Sequence, residues 1–104
     1  MNVTDIKSLD TQLNEMTRQG KILEALEQFY DEHCTFQEGN QPPRSGRATQ
    51  HAHLSGFFKT LKSFNSATLH TQTIGDGASI GEWTFDMTGP AGPIVWNEIL
   101  SRRW

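Results

Sequence analysis

Apolar residues in the first half of the chain recur at helical steps. Ile6, Leu9, Leu13 and Met16 are three or four positions apart, which predicts a helix beginning near Thr4 and Asp5 and ending at Gly20. Ile22, Leu23, Leu26, Phe29 and Tyr30 predict a second. Between Arg47 and Leu61 there is no proline, and Ala48, His51, Leu54, Phe57, Phe58 and Leu61 form a third stripe. Gly56 weakens that helix by about 1 kcal/mol relative to alanine. From Asn65 onward the period becomes two. Trp83, Phe85 and Met87 alternate with Glu82, Thr84 and Asp86, the pattern of a strand with one buried face. Strands are predicted over Asn65 to Ile74, Ala78 to Thr88 and Ile94 to Trp104, separated by Gly75-Asp76-Gly77 and by the turn from Gly89 to Pro93. A shorter one, Cys34 to Glu38, precedes Gln41-Pro42-Pro43, a loop that cannot continue a sheet because proline donates no backbone hydrogen bond. Gly46 closes that loop. The expected fold class is α+β, three helices against a curved, mostly antiparallel sheet.

Composition narrows the function classes. With 104 residues, 35% hydrophobic and 20% charged, the chain is the size of one domain with one core, spanning residues 1–104. Net charge is −3 and no run of Lys or Arg could follow a phosphate backbone, so no nucleic-acid partner is expected. No apolar stretch approaches the roughly 20 residues that cross a bilayer, and MNVTDIKSLD lacks the apolar segment of a signal peptide. A cytoplasmic chain without a membrane partner is the expectation. Cys34 is the only cysteine, which excludes an internal disulfide and a cysteine-based metal site, and its thiol is expected to be buried on the apolar strand face. His51 and His53, two apart on a helix, diverge by about 200° and cannot share a metal. His51 lies on the apolar stripe of its helix, His33 follows an acidic turn, and His70 sits on a polar strand face. Neither a metal nor a cofactor is expected.

One acidic residue carries candidate chemistry. If Cys34 to Glu38 is extended, Cys34, Phe36 and Glu38 share a face and Glu38 points inward. A carboxylate at the end of an apolar stripe loses hydration, its pKa rises, and it becomes a candidate general base. If the strand stops at Phe36 instead, Glu38 turns to solvent with Gly39 and Asn40.

The order of elements, together with FYDEHCTFQEGNQPPRSGR (Phe29 to Arg47), resembles the nuclear transport factor 2-like (NTF2-like) superfamily, and within it the SnoaL-like and ketosteroid isomerase-like branch. The resemblance is carried by the Phe29-Tyr30 helix end, the Asp31-Glu32 turn, Thr35 to Glu38, and Pro43-Arg44-Ser45-Gly46. Glu82-Trp83-Thr84-Phe85-Asp86-Met87 and the arginine-tryptophan ending add to it. It implies a cone-shaped, cystatin-like fold around a pocket for a small apolar molecule, used without a cofactor for isomerase, cyclase or lyase chemistry or for binding alone. Glu38 falls where ketosteroid isomerases place their proton-moving aspartate. Their oxyanion donors are not matched: Leu13 and Asn14 stand in place of the tyrosine, and Leu100 near the position of the protonated aspartate. Steroid isomerisation is therefore not expected. The resemblance turns Trp104 toward the pocket, and with it Trp96, Glu98, Leu100 and Arg102; the opposite register would bury Val95, Asn97 and Ile99. The expected pocket is lined by Phe36, His51, Phe57, Trp83, Phe85, Trp96, Glu98 and Arg102, with Arg102 or His51 meeting charge on a ligand oxygen. Relatives continue past the tryptophan with one more strand, so the final strand is expected to be lacking and a sheet edge or pocket wall open, through a gene fragment, truncation or completion by a partner chain. A homodimer is expected through an outer sheet face of Thr68, His70, Gln72, Ile74, Glu82 and Thr84.

Overall fold

The computed structural model describes residues 1–104, as three helices, a two-stranded ribbon and a three-stranded antiparallel sheet. Helix α1 (Val3–Arg18) starts where the Asn2 side chain accepts from the Asp5 N–H at 2.8 Å. It ends in a Schellman turn: Gly20 N–H donates to Thr17 O, Lys21 N–H donates to Met16 O, and Gly20 takes a φ of 78° that side chains resist. Helix α2 (Ile22–Phe29) follows directly and buries Ala25 and Leu26.

The chain then makes a small ribbon, β1 (Thr35–Phe36) paired with β2 (Arg44–Ser45). The strand predicted to reach Glu38 thus stops at Phe36, and pairing resumes as soon as the two prolines are passed. Helix α3 (Arg47–Thr60) packs on α2 and β2. Its buried stripe is led by Gln50 rather than His51.

Strands β3 (Ser63–Gly75), β4 (Ala78–Gly89) and β5 (Gly92–Arg103) form the main sheet with β4 in the centre. On β4 the odd residues from Ser79 to Gly89 face the helices and are all buried. Cross-strand pairing carries that face onto β5 through Met87 with Ile94, Phe85 with Trp96, Trp83 with Glu98, Gly81 with Leu100 and Ser79 with Arg102. The even set on β5 therefore looks inward, while Val95, Asn97 and Ile99 look outward.

On β3 strict alternation fails. Irregularities between Phe64 and Ser66 and between Leu69 and Thr71 each insert a residue, which swaps the faces beyond it. Gln72 and Ile74, expected on the outer face with Thr68 and His70, consequently turn inward opposite Gly81 and Ser79. Thr71 and Thr73 take their place outside. A hydrogen-bonded row crosses that outer face, His70 Nε2 to Thr84 Oγ1 at 2.8 Å and Thr84 Oγ1 to Asn97 Oδ1 at 2.7 Å. The core is Ala67, Trp83, Phe85 and Met87, covered by Ile22, Phe57, Leu61, Phe64 and Leu69. Helix α1 lies against β3 and β4, and on the inner face of β5 Trp96 stays 41% exposed, so that face is partly open.

Candidate functional site

Two polar groups of different character stand on the inner face. The first is a buried clasp between α1 and the sheet. Asp10 and Asn14, one helical turn apart, project with Ile6, Leu13 and Thr17 from the buried stripe of α1. Asp10 Oδ1 accepts from Arg102 Nη1 at 3.0 Å and from Ser79 Oγ at 2.7 Å. Its Oδ2 accepts from Gln72 Nε2 at 2.8 Å and from Asn14 Nδ2 at 3.0 Å. Arg102 also donates from Nη1 to Asn14 Oδ1 at 3.0 Å and from Nε to Tyr30 Oη at 2.6 Å. Burial raises the Tyr30 pKa, and the Arg102 guanidinium beside it offsets part of that rise. Trp104 completes the cluster, its Nε1 donating to Ser79 Oγ at 2.8 Å.

Asp10 and Arg102 are 1% and 8% exposed. An ion pair so buried is held by hydrogen bonds on both sides, four accepted by Asp10 and three donated by Arg102. Arg102 is thus committed to the protein and is not the free ligand-binding cation expected from the sequence. Asp10 and Asn14 were missed because the stripe was read from its apolar members alone. Their spacing from Ile6 and Thr17 carries the signal.

The second group lies farther along β5. Glu98 is half-buried on the inner face, opposite Trp83, with Trp96 two residues before it. Burial pushes its carboxyl pKa up, the nearby charge of Glu38 pushes the same way, and Arg102 pulls it back. Trp96 remains 41% exposed although it points inward, stacked on Phe57 at a centroid distance of 5.5 Å. Phe36 packs on Tyr30 with centroids 5.0 Å apart.

Glu38 is placed differently from the inward position proposed for it. Lying beyond the end of β1, it is exposed, at 58% of its side chain, and forms an ion pair with Arg44 Nη2 at 2.7 Å. Arg44 is steadied by the buried Gln50, whose Oε1 accepts from Arg44 Nε at 2.9 Å. His53 Nε2 stands 3.7 Å from the same Glu38 oxygen. The carboxylate that loses water on the inner face is Glu98.

Of the remaining expected lining residues, Trp83 and Phe85 are 1% and 7% exposed, stacked on each other at 5.5 Å, and belong to the packed core. His51 is on the far side of α3, paired through Nδ1 with Glu27 at 2.9 Å. It lines two shallow depressions of about 540 and 530 Å³ between α2 and α3, neither of which includes Glu38, Glu98 or Trp96. Cys34 is part-buried, and desolvation followed by the Asp31 charge raises its pKa, which disfavours the thiolate. No three His, Cys, Asp or Glu side chains converge in a way that could hold a metal ion, and no helix is long and apolar enough to cross a membrane.

This architecture has solved counterparts. A protein described as a SnoaL-like polyketide cyclase from Mesorhizobium loti superposes with a TM-score of 0.67 over 94% of this chain and 87% of its own, at 15% sequence identity. An LEH-like epoxide hydrolase from M. tuberculosis superposes with a TM-score of 0.71 over 95% of this chain and 71% of its own, at 11% identity. The fold is NTF2-like. No protein-family model matches the sequence, and no curated protein matches it either. At such identities the likeness fixes the NTF2-like architecture and leaves the chemistry to be argued from this chain's own residues.

Proposed function

We propose that the chain binds a small, largely apolar molecule against the open inner face of β5 and moves a proton on it without a cofactor, with Glu98 as the acid-base group. The observation that carries this reading is the environment of Glu98. It is a half-buried carboxylate whose pKa is raised by burial and by Glu38, and it is flanked by the Phe57–Trp96 stack. Carboxylates tuned upward in an apolar setting work as proton acceptors and donors near neutral pH. In the forward step an ionised Glu98 oxygen takes a proton from a carbon next to a carbonyl, and the electron pair left behind moves onto the carbonyl oxygen. Glu38, held at the rim by Arg44, contributes its field. The two neighbouring folds, named for a cyclase and an epoxide hydrolase, are consistent with pocket chemistry of this general kind.

Loss of deuterium from the methyl group of deuterated acetophenone tests the proposal. Glu98→Gln should lower the exchange rate by about 10²- to 10⁴-fold, the usual contribution of a general base, and Glu38→Gln by much less. Equal rates in the native protein and Glu98→Gln would remove Glu98 from the chemistry.

A second reading, an assembly module without catalysis, draws on the convex face, where Ile80, Val95 and Ile99 are exposed at 42%, 61% and 71%. A second copy of this chain packed on that face in a cytoplasmic homodimer would cover them. The two surfaces lie on opposite sides of the sheet, so a dimer would be expected under either reading and proton exchange at Glu98 decides between them.

A further inference from the structure

The two edges of the main sheet differ. Strand β3 is irregular at two places and has α1 packed against it, both of which spoil an edge for pairing. Strand β5 has β4 on one side, in continuous register from Gly92 to Arg103, and no strand on the other. The Trp104 N–H donates to Gly77 O at 2.8 Å, in step with that register, so the even residues of β5 sit in the pairs bonded to β4. The N–H and C=O groups of Val95, Asn97, Ile99 and Ser101 therefore point away from the sheet, and no other backbone group meets them. Pro93 belongs to the same outward set, where a missing N–H costs the ladder to β4 nothing. The usual guards of an edge are missing: Ile94 to Leu100 holds no lysine, no proline and no bulge, and its one charge is Glu98. Val95, Trp96 and Ile99 are exposed at 61%, 41% and 71%.

We propose that this edge pairs antiparallel with the β5 edge of a second copy of the chain, about a twofold axis at Asn97. Outward groups meet only odd residue to odd residue, so few registers exist, and the side chains choose among them. A dyad at Asn97 sets Val95 across from Ile99 of the second copy on the outer face and Ile94 across from its Leu100 on the inner face, apolar against apolar. A dyad at Glu98 sets two half-buried carboxylates directly opposite each other, and one at Trp96 leaves Ile99 facing Pro93. The product is a single sheet running through both copies. Pairing of like edges consumes the regular edge of each copy and leaves only the two irregular β3 edges outside, so assembly stops at two. This dimer differs from one packed on the convex face, where the outward backbone groups of β5 stay free. Under the pocket reading above, Trp96 of the second copy stands beside Glu98 in a close, non-bonded pair and extends the apolar wall of that site; the pairing itself does not depend on that reading.

Amide hydrogen exchange of the native protein, run at micromolar and at near-millimolar concentration and read by NMR, tests the pairing. The amides of Trp96, Glu98 and Leu100 are bonded to β4 and should be slow in both samples. Those of Val95, Asn97 and Ile99 should slow by about tenfold or more in the concentrated one. A dimer mixed from labelled and unlabelled chains should show an inter-chain contact between Hα of Trp96 and Hα of Glu98. Asn97→Pro removes a donor that faces the free edge and leaves the bonds to β4, so it should sediment as a monomer with its circular dichroism spectrum kept. If Asn97→Pro does not fold, the exchange pattern and the inter-chain contact decide alone. A monomer at both concentrations overturns the proposal. So does a dimer whose outward amides exchange as fast as in dilute solution, which would move the contact to the convex face. Slow outward amides without the inter-chain contact would place a segment of the same chain on the edge and overturn it as well. None of these results touches the deuterium-loss assay on Glu98, so the pairing and the pocket reading fail separately.

Discussion

Replacing Asp10 with Asn tests how much of the fold hangs on the clasp. The change is nearly isosteric, yet it removes the charge that matches Arg102 and substitutes an NH₂ for one of two oxygens. Those oxygens accept from Arg102, Ser79, Gln72 and Asn14. Both partners of the ion pair are below one-tenth exposed, so solvent screens little of the effect. Breaking a buried pair by removing one partner costs about 3–5 kcal/mol. Against a total of about 5–15 kcal/mol for a domain of this size, that is about a fifth of the stability or more. The expected fall in melting temperature is roughly 15–30 °C. Urea unfolding followed by tryptophan fluorescence reads it, with Trp104 reporting directly because its indole is bonded to Ser79. The double variant Asp10→Leu/Arg102→Met should lose less than the sum of the single changes, since it leaves no orphaned charge. A loss below about 1 kcal/mol for Asp10→Asn, or strict additivity in the cycle, would refute the account.

Glu98→Gln should stabilise the chain at neutral pH: the folded carboxyl has a raised pKa, so the folded state binds its proton more tightly and stability falls as pH rises from the unfolded value, about 4.5, toward the folded one. Melting curves from about pH 4 to about pH 8 should show the gain shrinking toward zero on the acid side. Tyr30→Phe leaves Arg102 Nε unmatched and should cost about 1–3 kcal/mol in urea unfolding. Gly20→Ala forces a side chain into a φ of 78° and should cost on the order of 1 kcal/mol by the same assay. If a second copy covers the convex face, Val95→Glu with Ile99→Lys should turn dimer into monomer in sedimentation velocity, with the circular dichroism spectrum unchanged.

Much of the fold was legible in periodicity, because long amphipathic stripes and two glycine-rich turns leave little choice of element. Helix α1 ended where Gly20 predicted, and the three long strands were found within three residues at each end. The outer face of β3 was misread, since strict alternation has no way to mark an inserted residue and every position from Thr71 onward changes sides. Ribbon strand β2 escaped notice because two residues carry no period. Glu38 illustrates how local parity misleads: the alternation holds from Cys34 to Gln37, then backbone pairing ends and the side chain follows the turn to Arg44. Glu98 was identified as an inward polar group in the favoured register. Asp10 and Asn14 were passed over because a buried charge becomes plausible only with its partner, and Arg102 is 92 residues away from Asp10 in sequence.

That separation has a kinetic consequence. A newly made α1 carries its carboxylate for the whole time in which β3, β4 and most of β5 are synthesised, with Arg102 not yet made to meet it. Closing a loop of that length is entropically uphill until the strands between are already aligned. Assembly should therefore be concerted and comparatively slow, as in other domains dominated by distant pairings, with the helical layer settling onto the sheet as one of the last events.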